Sequence, residues 1–258
     1  MAAPTVLISI NELIYCKLRD GHIEAIIKKP TGAVFVTGPT GSGKTTTLYT
    51  CLNMINTEER KILTIEDPIE YVHSHKGCLI SQRDVGIDTY SFNLALKNAL
   101  RQRPDVVLIG EIRDRETMEQ AINFAETGHL CLATLHAKNA SQTIERIVNF
   151  FPEEKHDQLL LNLSMNLRGI LSQRLVRTRS GGRKAAVEVM LNEGVIRNLI
   201  EEGKPKEIKE IMEKNRGMGM QTFEQALLDL FSQGHITEEV ALAEADNASN
   251  LKLNLRHV

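Results

Sequence analysis

The sequence predicts an α/β fold, a mostly parallel sheet flanked by helices, followed by a small all-helical C-terminal domain. Three observations carry this expectation. Short apolar runs of strand length alternate with longer segments of helical period through the first two thirds of the chain. One of these runs, Val106-Val107-Leu108-Ile109, is four consecutive aliphatics, the pattern of a central strand buried on both faces. A Gly-rich turn from Gly38 to Thr45 stands directly between a strand-like run and a helix-like one.

Taken in order, Ala33-Val34-Phe35-Val36 is the first buried strand, and the turn that follows opens a helix from about Thr45 to Ile55. Lys61 to Ile65 is the next strand and ends in the acidic segment Glu66-Asp67-Pro68-Ile69-Glu70. Ser91 to Leu100 reads as a helix with Phe92, Leu96 and Leu100 on one face, broken by Pro104-Asp105 before the 106–109 strand. Arg115 to Thr127 places Met118, Ile122 and Ala125 at core spacing, Gly128 ends that helix, and Leu130 to Leu135 is a further strand. Beyond Phe151-Pro152, Leu159 to Leu175 reads as one long helix, Ser180-Gly181-Gly182 as a turn, and Ala185 to Leu191 as an apolar run. From Asn192 the chain is helix-period and charge-rich, with Lys204 to Lys214 read as a solvated helix face carrying i,i+4 pairs. The expected division is a core at 31–190 and a helical domain at 191–258, with 1–30 either a linker or helices that cover the sheet.

Composition narrows the function classes. With 42% hydrophobic and 25% charged residues, 17 Gly and 7 Pro, the chain is neither collagen-like nor largely disordered. Lys+Arg 31 against Asp+Glu 33 gives a formal charge of -2, and with no Trp and 4% aromatics a nucleic-acid motor or partner is not expected. No apolar run approaches the roughly 18 residues that span a bilayer. The start Met1-Ala2-Ala3-Pro4 lacks a secretory signal pattern, so a cytoplasmic protein is expected. The four cysteines, Cys16, Cys51, Cys78 and Cys131, form no close pair and fit reduced, buried thiols rather than a disulfide framework or a zinc site.

Gly38-Pro39-Thr40-Gly41-Ser42-Gly43-Lys44-Thr45 completes the G-x-x-x-x-G-K-[ST] pattern of a P-loop. The glycines let successive backbone N–H groups face phosphate oxygens, and the following helix adds its positive end. Lys44 is expected to reach the outer phosphates and Thr45 to ligate Mg²⁺, so Gly38 to Thr45, together with Thr46, form the candidate nucleotide site. No Asn-Lys-x-Asp guanine-reading motif is present, which favours ATP. Glu111, at the end of the 106–109 strand, is placed to meet that Mg²⁺ directly or through water, the alternative being a surface pair with Arg113 or Arg115. Glu66 is the first choice for orienting the attacking water, against a simple turn cluster before Pro68. His129 and His136 flank one strand about 23 Å apart on opposite faces and share no metal. His136 lies on the nucleotide side and is placed to sense the γ-phosphate, whereas His129 reads equally as a structural histidine.

Leu100-Arg101-Gln102-Arg103-Pro104-Asp105-Val106-Val107-Leu108-Ile109-Gly110-Glu111-Ile112-Arg113-Asp114 resembles, without a gap, the Walker B fingerprint of the secretion/type IV pilus ATPase superfamily. Ile65 to Glu70 looks like its acidic box and Thr127 to His136 like its histidine box, in family order. Gly194 to Glu202 is similar to the Ala-Ile-Arg-Asn-Leu-Ile-Arg-Glu motif of the pilus retraction ATPases (the PilT/PilU branch), departing at Val195 and Glu201. Gly219 to Phe223 resembles a further element of that branch, while Thr37 to Tyr49 looks as much like the assembly and secretion branch. The resemblance implies a RecA-like P-loop NTPase core, a homohexamer, Mg²⁺ and ATP, and retraction of a pilus through an inner-membrane platform protein at the cytoplasmic face. Residue by residue it implies that Lys44 and Thr45 bind phosphate and Mg²⁺, Glu66 assists the water, Glu111 supports the metal and His136 couples nucleotide state to the interface. Arg113 and Arg101 are the remaining candidates for charge roles. An N-terminal domain on the order of 100 residues normally supplies arginines, and with 37 residues before Gly38 it is expected to be absent or a remnant here. The alternatives are a pilus-assembly or type II secretion ATPase, which usually carries a four-cysteine zinc module, and a non-catalytic partner of a paralogous retraction ATPase.

Overall fold

Strand β1 (Gly32–Thr37) is buried along its whole length, which is why six residues with no period-two alternation still form a strand. The computed structural model describes residues 21–56 and 59–255. From β1 the chain runs through α2 (Lys44–Ile55), β2 (Lys61–Glu66), β3 (Leu79–Asp84), α3 (Phe92–Ala99), β4 (Val106–Ile109), α4 (Arg115–Glu126) and β5 (Leu130–Leu135). It continues through α5 (Ala140–Asn149), α6 (His156–Asn166), β6 (Leu167–Arg177) and β7 (Arg183–Leu191). Among the described residues one helix, α1 (His22–Ile27), precedes β1, and five follow β7: α7 (Val195–Glu201), α8 (Ile208–Lys214), α9 (Phe223–Ser232), α10 (Glu238–Glu244) and α11 (Ala248–Leu255).

The seven strands form one sheet in the order β3-β2-β4-β5-β1-β6-β7, parallel throughout except for the antiparallel β6–β7 pair. The expected strands at 33–36, 61–65, 106–109 and 130–135 are all present. Helix α4 starts on Asp114, whose side chain accepts the Thr117 N–H, and buries Met118, Ile122 and Ala125 as their spacing predicts. Cys51, Cys78 and Cys131 are buried and form no disulfide with one another, while Cys16 lies outside the described residues. Helix α1 is no free linker: Ile23, Ile26 and Ile27 are part of the main core.

The long helix expected over 159–175 is not there. Helix α6 ends at Asn166 and the chain turns extended at Leu167 (ψ 137°) to give β6, inserted between β1 and β7. An apolar run buried on both faces has no periodicity to separate strand from helix, so the length of the run misleads. Gly169 suits the strand, since a Cβ there would stand 2.8 Å from the Met190 carbonyl and 2.9 Å from Ile26. The structure holds two elements beyond those expected: the edge strand β3, whose polar half (Ser81, Gln82, Arg83, Asp84) masks it, and α5, capped by Asn139.

Helices α7 and α8 bury Ile196, Leu199, Ile200, Ile208 and Met212 in the main core. Helices α9 to α11 gather Phe223, Leu227, Leu230, Leu251 and Leu255 into a second cluster around Val176 of β6 and Ala186 of β7. Arg174 of β6 ties that cluster to the rest. Its guanidinium lies 4.0 Å from the centre of the Phe223 ring, pairs with Asp246, and donates to the carbonyls of Glu244 and, at 3.1 Å, Lys138. In the charge-rich segment, Lys214 pairs with Glu210 as expected of a solvated face, but Lys209 reaches across to the buried Glu224 at 2.8 Å. Among the described residues no helix is long and apolar enough to cross a membrane.

Glu188 of β7 is buried beside this junction and accepts the N–H of Ala140, the first residue of α5, at 2.6 Å. Burial, with Asp246 and Glu224 nearby, pushes its carboxyl up from 4.5 to about 7. The folded chain therefore holds this proton more tightly than the unfolded one, and stability falls as pH rises from about 4.5 to about 7. Glu188→Gln keeps an oxygen for the Ala140 N–H and removes the charge. It should raise unfolding free energy at pH 8 by up to about 3 kcal/mol, a gain that shrinks toward pH 5. Urea denaturation at both pH values checks it, and equal stability of the two proteins at pH 8 would contradict it.

Candidate active site

Parallel strands share a C-terminal edge, so the segments leaving β2, β4, β5 and β1, which are neighbours in that order, open side by side. At β1 the chain turns through Gly38, Gly41 and Gly43 with φ of 149°, 75° and 88°. Gly38 admits no side chain: a Cβ would press on the Gln173 carbonyl and lie 2.6 Å from Ser42 Oγ. Helix α2 starts at Gly43 without a side-chain cap, so its first N–H groups and its positive end face the loop. Gln173 of β6 braces the turn from below, donating to the Ser42 carbonyl at 2.5 Å and accepting from Thr47 at 2.6 Å. Lys44 Nζ donates to the Gly38 and Pro39 carbonyls, each at 3.0 Å. Burial lowers its pKa, and the nearby Glu111 and Glu70 carboxylates work against that shift.

At β4 the exit is pinned on both sides. Gly110 N–H donates to the Ile65 carbonyl of β2 at 2.8 Å, and Ile112 N–H to the Thr134 carbonyl of β5 at 2.9 Å. Thr134 also donates its hydroxyl to the Gly110 carbonyl at 2.5 Å. Glu111 is thereby held between an imidazole and a guanidinium: one oxygen is 2.8 Å from His136 Nε2 and the other accepts from Arg113 Nε at 2.8 Å. Arg113 also approaches Asp67 at 3.6 Å, whereas Arg115 pairs with Glu119. The acidic segment after β2 turns at a cis Asp67–Pro68 peptide and brings Glu70 to 3.4 Å from the Thr45 hydroxyl. Glu66 is buried and accepts hydrogen bonds from Tyr49, Thr64 and Gln82.

These groups meet in one cleft of about 520 Å³ lined by Thr40, Gly41, Gly43, Lys44, Thr45, Thr46, Glu66, Glu70, Glu111, Arg113 and His136 among others. Gly38 and Pro39 open onto an adjoining cleft, and Ser42 is buried beneath the loop. Two sequence candidates lie elsewhere. His129 stands at the opposite edge, its ring against Phe124 (5.3 Å) and its Nδ1 3.2 Å from the Phe124 carbonyl, a structural arrangement. Arg101 is exposed on the turn Leu100–Gln102 after α3. Sequence reasoning missed Tyr49, Gln82 and Gln173 and ranked Glu70 below Glu66. Gln82 and Gln173 lie on the two strands it did not assign; Tyr49, one helical turn past Thr45, was within reach of the spacing.

The residues present suit a nucleotide phosphate with Mg²⁺. The Ser42 hydroxyl is buried without a protein partner, the Gly38 cradle excludes a Cβ, and the Thr45 hydroxyl lies among carboxylates on the cleft wall. Among the described residues no group of three or more His, Cys, Asp or Glu side chains forms a cage. Mg²⁺ characteristically needs none, being held by one or two protein oxygens and phosphate.

Comparisons with known proteins show what the chain as a whole resembles. The type IV pilus ATPase PilU of Pseudomonas aeruginosa is 52% identical over 245 residues, covering 93% of this chain and 64% of that protein. A twitching motility protein of Neisseria gonorrhoeae is 43% identical over 250 residues, covering 96% of this chain and 66% of that protein. The chain thus spans a little under two thirds of these relatives' length. The crystal structure of the pilus retraction motor PilT with bound ADP matches with a TM-score of 0.86 and 44% identity, covering 92% of this chain and 67% of that one. The fold is accordingly the α/β P-loop ATPase fold with C-terminal helices. The family model for type II/IV secretion system proteins matches residues 2–181, well over half of the sequence, and the chain belongs to that family.

Proposed function

We propose that this chain binds ATP at the Gly38–Thr46 loop, hydrolyses it, and uses the turnover to drive type IV pilus retraction as part of a homohexameric motor. The observation that carries the reading is the convergence of Lys44, Thr45, Glu66, Glu111 and His136 on one cleft from four adjacent strand ends. In this reading Lys44 exchanges its two carbonyl acceptors for phosphate oxygens, and the loop N–H groups and Ser42 hydroxyl complete the cradle. Thr45 and Glu111 would hold Mg²⁺, which when bound neutralises phosphate charge. Glu66, an acceptor on the cleft wall, orients the attacking water. His136 and Arg113 share Glu111, so a change at Glu111 reaches both the β5 exit and the acidic segment at Asp67.

The relatives' names, a pilus ATPase and a twitching motility protein, support retraction as the work done. So does the segment Gly194 to Glu202: Ile196, Leu199 and Ile200 are in the core, which leaves Arg197 and Asn198 exposed for a partner. That partner is proposed to be a membrane platform protein, placing the motor at the cytoplasmic face of the inner membrane.

ATP hydrolysis per subunit, measured against protein concentration with Mg²⁺, should rise cooperatively if the chain assembles its own ring. Lys44→Ala should lower turnover by about 100-fold or more while the protein stays folded by circular dichroism. An unchanged rate in the variant would sink the ATPase reading. Arg197→Ala should hydrolyse ATP at near the parent rate and fail to support twitching in cells; normal twitching would remove α7 from the coupling.

A further inference from the structure

The Glu66 carboxylate is held by three donors from three elements, none of them in the motifs that mark the site. Tyr49 of α2 donates its hydroxyl to Oε2. Thr64 of β2 donates to Oε1 at 2.6 Å, and Gln82 of the edge strand β3 donates to Oε1 at 3.4 Å. These donors are themselves fixed. Gln82 accepts the His73 N–H at 2.7 Å and donates to the Tyr71 carbonyl at 3.0 Å, so its amide has one sensible orientation. The Tyr49 ring is buried, with the His73 ring edge-on at 4.5 Å and Tyr71 at 6.2 Å. Burial and the adjacent Glu66 push the Tyr49 phenol far above its usual value, so it stays a donor.

A carboxylate offers about four acceptor positions. Here Oε1 uses two and Oε2 one, which leaves a single acceptor position on a group that cannot turn. An unpinned carboxylate would sample several rotamers and lose the alignment that positioning a water requires.

We propose that Tyr49, Thr64 and Gln82 are positioning residues that lock Glu66 as an acceptor with one oxygen lone pair left for the attacking water. This rests on the reading of Glu66 as the water-orienting group. It also gives β3 a role in the reaction although none of its residues lines the cleft.

Two near-isosteric variants of the full chain, Tyr49→Phe and Thr64→Val, each remove one donor and keep the packing volume. Each should lower kcat for ATP by about 10- to 100-fold, the scale of one hydrogen bond to a charged group. The KM for ATP and the affinity for ADP should stay within about 2-fold, because neither side chain belongs to the phosphate cradle. Glu66→Gln is measured alongside. If Glu66→Gln is inactive while both donor variants keep the parent kcat, the clamp is wrong and the reading of Glu66 stands. If Glu66→Gln turns over normally, both fail. If kcat and ADP affinity fall together in the donor variants, their role is structural and the proposal is overturned.

Discussion

The arrangement of the site depends on the burial of β1 between β5 and β6. A strand apolar on both sides must be covered by helices on both faces of the sheet, and a sheet so covered is built from parallel strands joined by crossovers. Once the strands are parallel their carboxyl ends share an edge, and every βα connection at that edge faces the same cleft. That is how residues as far apart in sequence as Lys44, Glu66, Glu111 and His136 come to line one cavity. Register does the rest: Ile65 lies opposite Ile109, and Ile109 opposite Ala133, so Glu66, Glu111 and His136 emerge at nearly one level.

β6 carries the second half of the design. Its consecutive residues alternate between faces, as strand residues must. Ser172 accepts the Thr37 hydroxyl of β1 at 2.9 Å and Gln173 braces the Gly38–Thr45 turn. Arg174 reaches the Lys138 carbonyl just beyond His136, and the C-terminal helices at Glu244 and Asp246. Three adjacent residues thus join the Gly38–Thr45 turn, the β5 exit and the helical cluster. A helix over the same residues, as the apolar run suggested, would turn successive side chains by about 100° and lose this division between the two faces.

Charge follows the same geometry. The cleft is rich in carboxylates bonded across element boundaries: Glu111 to His136, Glu66 to Tyr49 and Gln82, Glu70 to Thr45. Such a wall suits the proposed occupant, a polyanion with its counter-cation, better than a polyanion alone.

The sequence by itself determined the parts whose signal is local. The turn at Gly38 to Thr45 is legible because glycine alone takes the backbone angles of Gly38, Gly41 and Gly43 without strain. The strands at 33–36, 61–65, 106–109 and 130–135 were legible because runs of that length cannot be surface. Tertiary structure decided the rest. Leu167 to Arg177 is a strand because a gap beside β1 accepts it, and β3 is a strand because β2 offers an edge; neither fact is written in periodicity. The same holds for the contacts of Glu66, whose neighbours Tyr49 and Gln82 lie 17 and 16 residues away along the chain. A local pattern fixes which residue types a turn or strand can use, but which side chains meet across elements is set by packing and register, and those exist only once the sheet has formed.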